Sequence, residues 1–92
     1  LKQDAVRAAL AVARDAIQTR RYEKAISACQ RALALEPWQE EAVLLGMQTY
    51  VARHDRSGAI RLYKKLESAL RDELDVAPQE AVQAYYRFVI DG

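Results

Sequence analysis

An all-α fold of short antiparallel helices is what this 92-residue sequence predicts. Three observations carry that expectation. Apolar residues recur at three- and four-residue spacing almost throughout, the period of a helix with one buried face. The composition is 51% hydrophobic, rich in alanine and leucine, with only three glycines and two prolines, so helix formers dominate. The breaks are few and short: Thr19-Arg20-Arg21, Pro37, His54-Asp55-Arg56 and Asp75-Val76-Ala77-Pro78 divide the chain into five periodic segments.

The first segment predicts a helix over 4–18, with Asp4 as N-cap and Ala5, Ala9, Val12, Ala13, Ala16 and Ile17 on its apolar stripe. The second, over 22–35, turns Tyr22, Ala25, Ile26, Cys29, Ala32 and Leu33 inward. Pro37 stops it, because proline lacks the donor for the helical ladder and pushes its predecessor out of helical geometry. A third helix follows over 38–53, with Val43, Leu44, Met47, Tyr50 and Val51 apolar. Ser57 or Asp55 then caps a fourth helix over 57–73, which presents Ile60, Tyr63, Leu66, Leu70 and finally Leu74. The fifth runs over 78–90, with Pro78 in its first turn and Val82, Tyr85, Tyr86 and Val89 as its contact set. Connections of two to four residues make consecutive helices antiparallel neighbours, so the chain reads as a single domain of hairpins 4–37 and 38–74 with a capping helix 78–90.

Composition also excludes function classes. Fourteen basic and thirteen acidic residues leave a net charge of +1, without the one-sided basic excess of a nucleic-acid grip. No apolar run is long enough to cross a bilayer. The start, Leu1-Lys2-Gln3-Asp4, has no initiator methionine and no signal-peptide pattern, so a domain excised from a longer cytoplasmic protein is expected. Cys29 is the lone cysteine and His54 the lone histidine, which removes intrachain disulfides and multi-cysteine zinc sites. They read as a core thiol and a solvated loop imidazole. Asp72, Glu73 and Asp75 lack calcium-loop spacing, and no glycine-rich phosphate cradle is present. Neither an enzyme nor a cofactor or metal is expected.

The informative feature is a repeat. Ala25 and Ala59, Cys29 and Tyr63, Ala32 and Leu66, Ala16 and Tyr50, and Leu10 and Leu44 are each separated by the same interval of 34 residues. The string Tyr22, Ala25, Cys29, Ala32, Pro37 is similar to the second half of the tetratricopeptide consensus, whose period this is. Ala25, Ala32 and Ala59 fall where the two helices of a hairpin cross closely, so a larger side chain would force them apart. Arg20 and His54 stand at the loop position where glycine is usual, and Met47 at one normally small. The fold class expected is therefore a tetratricopeptide-like right-handed superhelix of two hairpins plus a capping helix.

A narrower resemblance begins at Ala32-Leu33-Ala34-Leu35-Glu36-Pro37-Trp38-Gln39-Glu40-Glu41-Ala42. It continues through Met47, Tyr50, Ala59 and Tyr63-Lys64-Lys65-Leu66, and closes with Leu70-Arg71-Asp72-Glu73-Leu74-Asp75-Val76-Ala77-Pro78 and Tyr86. These residues resemble the bacterial transcriptional activator domain. Arg71 stands where an ordinary repeat has its proline, so the helix runs on and the turn is delayed to Pro78. Asp75 departs from the family's usual glycine, and Glu80 from a common second proline. The resemblance implies a module joined to a winged-helix DNA-binding domain or to other regulatory modules. Its partners would be proteins: that neighbouring domain, a dimer partner or the transcription machinery. DNA would be reached only through other domains.

By repeat register the first helices of the hairpins line a concave protein-binding face carrying Arg7, Leu10, Arg14 and Ile17 from one, and Glu41, Leu44, Gln48 and Val51 from the next. A stand-alone peptide adaptor is the alternative. It is weakened because peptide-carboxylate clamps on this scaffold use asparagine, and the chain contains none. The cations Arg20, Arg21, Lys24, Arg31, Arg61, Lys64 and Lys65 are interspersed with carboxylates and read as solvated faces. Trp38 is expected to pack between the hairpins rather than to serve as a ligand anchor.

Overall fold

The computed structural model describes all residues from Leu1 to Gly92 and contains five α-helices and no strand: α1 Lys2–Gln18, α2 Tyr22–Leu35, α3 Glu40–Ala52, α4 Arg56–Leu74 and α5 Glu80–Asp91. The body measures 37 × 33 × 17 Å. Its thin dimension fits two helix layers at the usual 8–10 Å spacing. Each helix packs on its sequence neighbour, and α3 also touches α1 and α5. No Cα of α2 comes within 8 Å of one in α4, so α3 lies beneath two helices that stand apart.

The turns explain where helices end. Arg20 (φ 60°) and His54 (φ 60°) are left-handed. Around them Arg21 N–H donates to the Ala16 carbonyl and Asp55 N–H to the Tyr50 carbonyl, both at 2.8 Å, while Arg20 N–H reaches Ile17 and His54 N–H reaches Val51. These are paired Schellman closures, which satisfy the last free carbonyls of α1 and α3. Asp75 (φ 54°) ends α4 in the same backbone region, its N–H donating to the Arg71 carbonyl at 3.2 Å. The positions where glycine is usual in this repeat are thus the positions that need a left-handed backbone.

Three helix starts differ from expectation, and at a fourth the structure selects between two candidate caps. Asp4 lies inside the first turn of α1, whose N-cap is Leu1, and there it pairs with Arg7 at 3.4 Å. Pro37 and Trp38 form the centre of a turn closed by Gln39 N–H to the Glu36 carbonyl at 3.0 Å, so α3 begins only at Glu40. Gln39 caps it by accepting from Glu41 N–H at 3.1 Å. Asp55, not Ser57, caps α4 by accepting from Gly58 N–H at 2.9 Å. Pro78 precedes α5 rather than opening it. Gln79 keeps an extended backbone and spends its N–H on Glu40 Oε1 at 2.6 Å, and the helix begins at Glu80.

The core divides by size of side chain. Val43, Met47, Ala59, Tyr63, Leu66, Leu70, Val82 and Val89 form the main cluster, across α3, α4 and α5. The first hairpin closes on small residues, with Ala13, Ala28 and Cys29 in one cluster and Val6, Ala9, Leu10, Ala32 and Ala42 in another; Leu45 packs against both. Ala25, Ala32 and Ala59 are completely buried, as close crossings demand. Ala5 is exposed and Val6 takes its place in the stripe of α1, while Leu74 is 52% exposed rather than inward. Trp38 is also corrected: at 37% exposure it sits on a turn and not between hairpins.

Candidate functional site

The face expected from the repeat register is carried by α1 and α3, and the structure sorts its residues into three kinds. Arg14 forms an ion pair with Glu41 across the two helices, both side chains remaining about half exposed. Arg7 is exposed and held by Asp4. Leu10 is 5% exposed and packed among Val6, Ala9, Ala32 and Ala42, so it supports the face from beneath without being part of its surface. Ile17 and Gln48 are half-buried, and Leu44 and Val51 lean against the main cluster with one edge open.

A third helix repeats the burial pattern of α3. In α3 the positions turned toward the preceding hairpin are Ala42, Leu45 and Thr49. The same spacing recurs in α5 as Val82, Tyr85 and Val89, which pack onto the preceding hairpin in turn. The open positions Glu41, Leu44 and Gln48 therefore correspond to Ala81, Ala84 and Phe88. Phe88 is 60% exposed, the most exposed large apolar side chain apart from the terminal Leu1, and it touches Tyr85 at 5.5 Å between ring centroids. The sequence reading did not single it out. The signal was available, because Ala81, Ala84, Tyr85 and Phe88 form a second apolar stripe beside the buried one.

The residues named from the repeat hold the scaffold rather than the surface. Tyr22 and Tyr50 are half-buried, Cys29 and Leu66 are buried, and Pro37 stands exposed on its turn while Pro78 is buried after α4. Tyr63 stacks face to face on Tyr86 at 3.9 Å with 8° between the rings, which clamps α5 onto α4. Burial pushes the Tyr63 hydroxyl up from its usual range, with the nearby Glu67 carboxylate adding to the effect. Lys64 stands 5.5 Å over the Tyr86 ring and 3.5 Å from Glu67, and that carboxylate holds its ammonium above the usual range. The result is a clamp with a charged lid and no reacting group.

Cys29 and His54 lie in separate elements, α2 and the α3–α4 turn. Burial pushes the Cys29 thiol up to about 11, the direction opposite to an activated nucleophile. His54 lies exposed in the α3–α4 turn, and no group of three or more His, Cys, Asp or Glu side chains is placed to hold a metal ion. No helix is long and apolar enough to cross a membrane. A cavity of about 420 Å³ opens between α2 and α4 rather than on the α1, α3 and α5 face.

Comparison with known families decides the class. The profile described as the bacterial transcriptional activator domain matches residues 1–89. The chain belongs to that family. No curated protein and no solved structure matches it significantly. Membership makes this a transcription-regulatory domain of bacterial type with a tetratricopeptide-like helical fold. Within this activator domain Arg71 stands where the repeat has its proline, and the turn comes later: α4 runs unbroken through Arg71 to Leu74, giving it nineteen residues against fourteen in α2.

Proposed function

We propose that this activator domain is the protein-contact and signal-coupling module of a bacterial transcriptional regulator. It acts in the cytoplasm through intra- and intermolecular contacts, without catalysis, and reaches DNA only through other domains of the regulator. Its partners are a neighbouring DNA-binding domain, a dimer partner or the transcription machinery. The contact face is the one carried by α1, α3 and α5, with Arg14, Glu41, Leu44, Gln48 and Val51 beside Ala84 and Phe88.

The single observation that carries this reading is the exposed Phe88 on α5, a helix packed against the α3 that bears the half-open Leu44 and Val51. An exposed aromatic flanked by apolar residues and edged by polar groups is the composition of a contact patch between proteins. A phosphate-binding face would show unpaired cations instead, whereas Arg14 is already neutralised by Glu41. The test is a reporter assay in the regulator with Phe88→Asp, alongside promoter occupancy and protein abundance. Lowered activation at normal occupancy and abundance is expected. Full activation, both by that variant and by a regulator lacking these 92 residues, would remove the reading.

A further inference from the structure

The cleft between α2 and α4 is a second surface, formed by different helices from the proposed contact face. Its α2 wall is Ile26, Leu33 and Ala34, its α4 wall is Leu62 and Ala69, and its floor is Gly46 of α3. Gly46 matters because a Cβ there would stand 2.5 Å from Leu62 Cδ2 and 3.9 Å from the Cys29 sulfur. The missing side chain lets Leu62 lie down on α3 and leaves the cleft deep. Nine of the thirteen lining residues are hydrophobic, and Lys65 is the only charged one.

The charge around the cleft is one-sided. Lys65 and Arg61 lie one turn apart on α4, both exposed, and neither forms an ion pair, unlike Lys64, which pairs with Glu67. On the α2 side the middle of the rim is neutral, with Ser27, Gln30 and Ala34. Helical register puts the nearest carboxylates at the ends of the cleft: Glu23 at the start of α2 and Asp72 late in α4, the latter paired with Arg71 at 3.7 Å. Two cations four residues apart match two carboxylates four residues apart on another helix.

From this geometry we infer that the α2–α4 cleft binds an amphipathic α-helix of a partner protein, one with an apolar stripe flanked on one side by carboxylates at i and i+4. The inference goes beyond the contact face proposed above and uses none of its residues. Helical shape follows from the walls. Two helices with no Cα pair within 8 Å of each other, above a third, leave a trough that a helix fills by ridges into grooves. The apolar stripe meets Ile26, Leu33, Leu62 and Ala69, and the carboxylates meet Arg61 and Lys65 at the rim. There they select the partner and its direction more than they add affinity.

The probe is a designed amphipathic peptide of about four turns, with leucines along one face and glutamates at i and i+4 beside them. Amide shift mapping on the 92-residue chain is expected to move α2, α4 and Gly46 and to spare α5. Replacing both glutamates with lysine weakens binding at least tenfold, as does the double variant Arg61→Glu/Lys65→Glu. Combining the lysine peptide with that double variant restores it. Ala34→Arg, at an exposed position that leaves the fold intact, blocks the trough without touching the charges. Absence of binding, an affinity indifferent to the charge exchange, or shifts centred on Phe88 would each overturn the assignment. Phe88→Asp leaves peptide binding unchanged, so failure of the cleft and failure of the contact face are read separately.

Discussion

Arg20, His54 and Asp75 each hold a backbone that glycine would adopt without cost. An L-residue there costs about 1–2 kcal/mol, of which about 0.4–1 kcal/mol is returned because glycine is the more entropic residue when unfolded. Arg20→Gly and His54→Gly should therefore each gain about 0.5–1 kcal/mol, read as a rise of roughly 4 °C in Tm for a chain of this size. An unchanged Tm for both would mean that neither turn closes as described. Cys29 permits a second residue-scale test. Its thiol is raised from 9.0 to about 11, so the native state keeps a proton that the unfolded chain releases. That contribution to stability is complete below pH 9 and is lost as pH rises through about 11. At pH 8 alkylation should run about a hundredfold slower in the folded protein than in denaturant, and Cys29→Ser should lessen the alkaline loss, leaving the part carried by Tyr63. Arg20 and His54 were legible from sequence because the repeat says where glycine belongs, and Asp75 because the family resemblance does. Phase along α1 was not: alanines at 5, 8, 9, 11, 13 and 16 make several faces look apolar, and only packing chose Val6 over Ala5.

At the scale of helices, the hairpins close through alanine. Ala25 and Ala59 have no exposed surface, and extra methylenes at such crossings displace whole helices. Ala25→Leu and Ala59→Leu should each destabilise by about 1–3 kcal/mol in denaturant melts. Ala84→Leu, on the open side of α5, should change the midpoint little. Equal effects at all three would show the repeat register to be misassigned. The five helices and the start of α2 were readable from periodicity, whereas the start of α5 was not, because its deciding donor belongs to a distant partner. Gln79 N–H is held by Glu40, thirty-nine residues away, and no local pattern announces that bond. Trp38 fails for a similar reason. A tryptophan beside a proline is covered or bare according to what the turn faces, and this turn faces solvent.

For the whole molecule, a net charge of +1 and five ion pairs between side chains leave little for a polyanion to hold. The isolated domain should bind promoter DNA weakly, without sequence preference, and lose that binding between low and physiological salt. Tight, site-specific binding by these 92 residues would transfer DNA recognition to the domain itself. The proposed face was only partly legible. Repeat register put its candidate residues on α1 and α3, but burial of Leu10 and exposure of Phe88 depend on how α1 and α5 are rotated about their axes, which alanine-rich stripes do not specify.

The order in which the helices touch also sets how the chain finds its structure. Each helix packs on the next along the chain, and the remaining contacts, α1 with α3 and α3 with α5, skip a single helix. Every loop that must close is short, so little entropy is lost before contacts repay it. Refolding should then be complete within milliseconds or faster, as for other helical proteins dominated by local contacts. The large side chains gathered in α3, α4 and α5 should form the nucleus, and the alanine-lined first hairpin should dock onto it afterwards. Stopped-flow refolding of Leu66→Ala and Ala13→Gly separates the two stages. The first substitution should slow folding, and the second should mainly hasten unfolding.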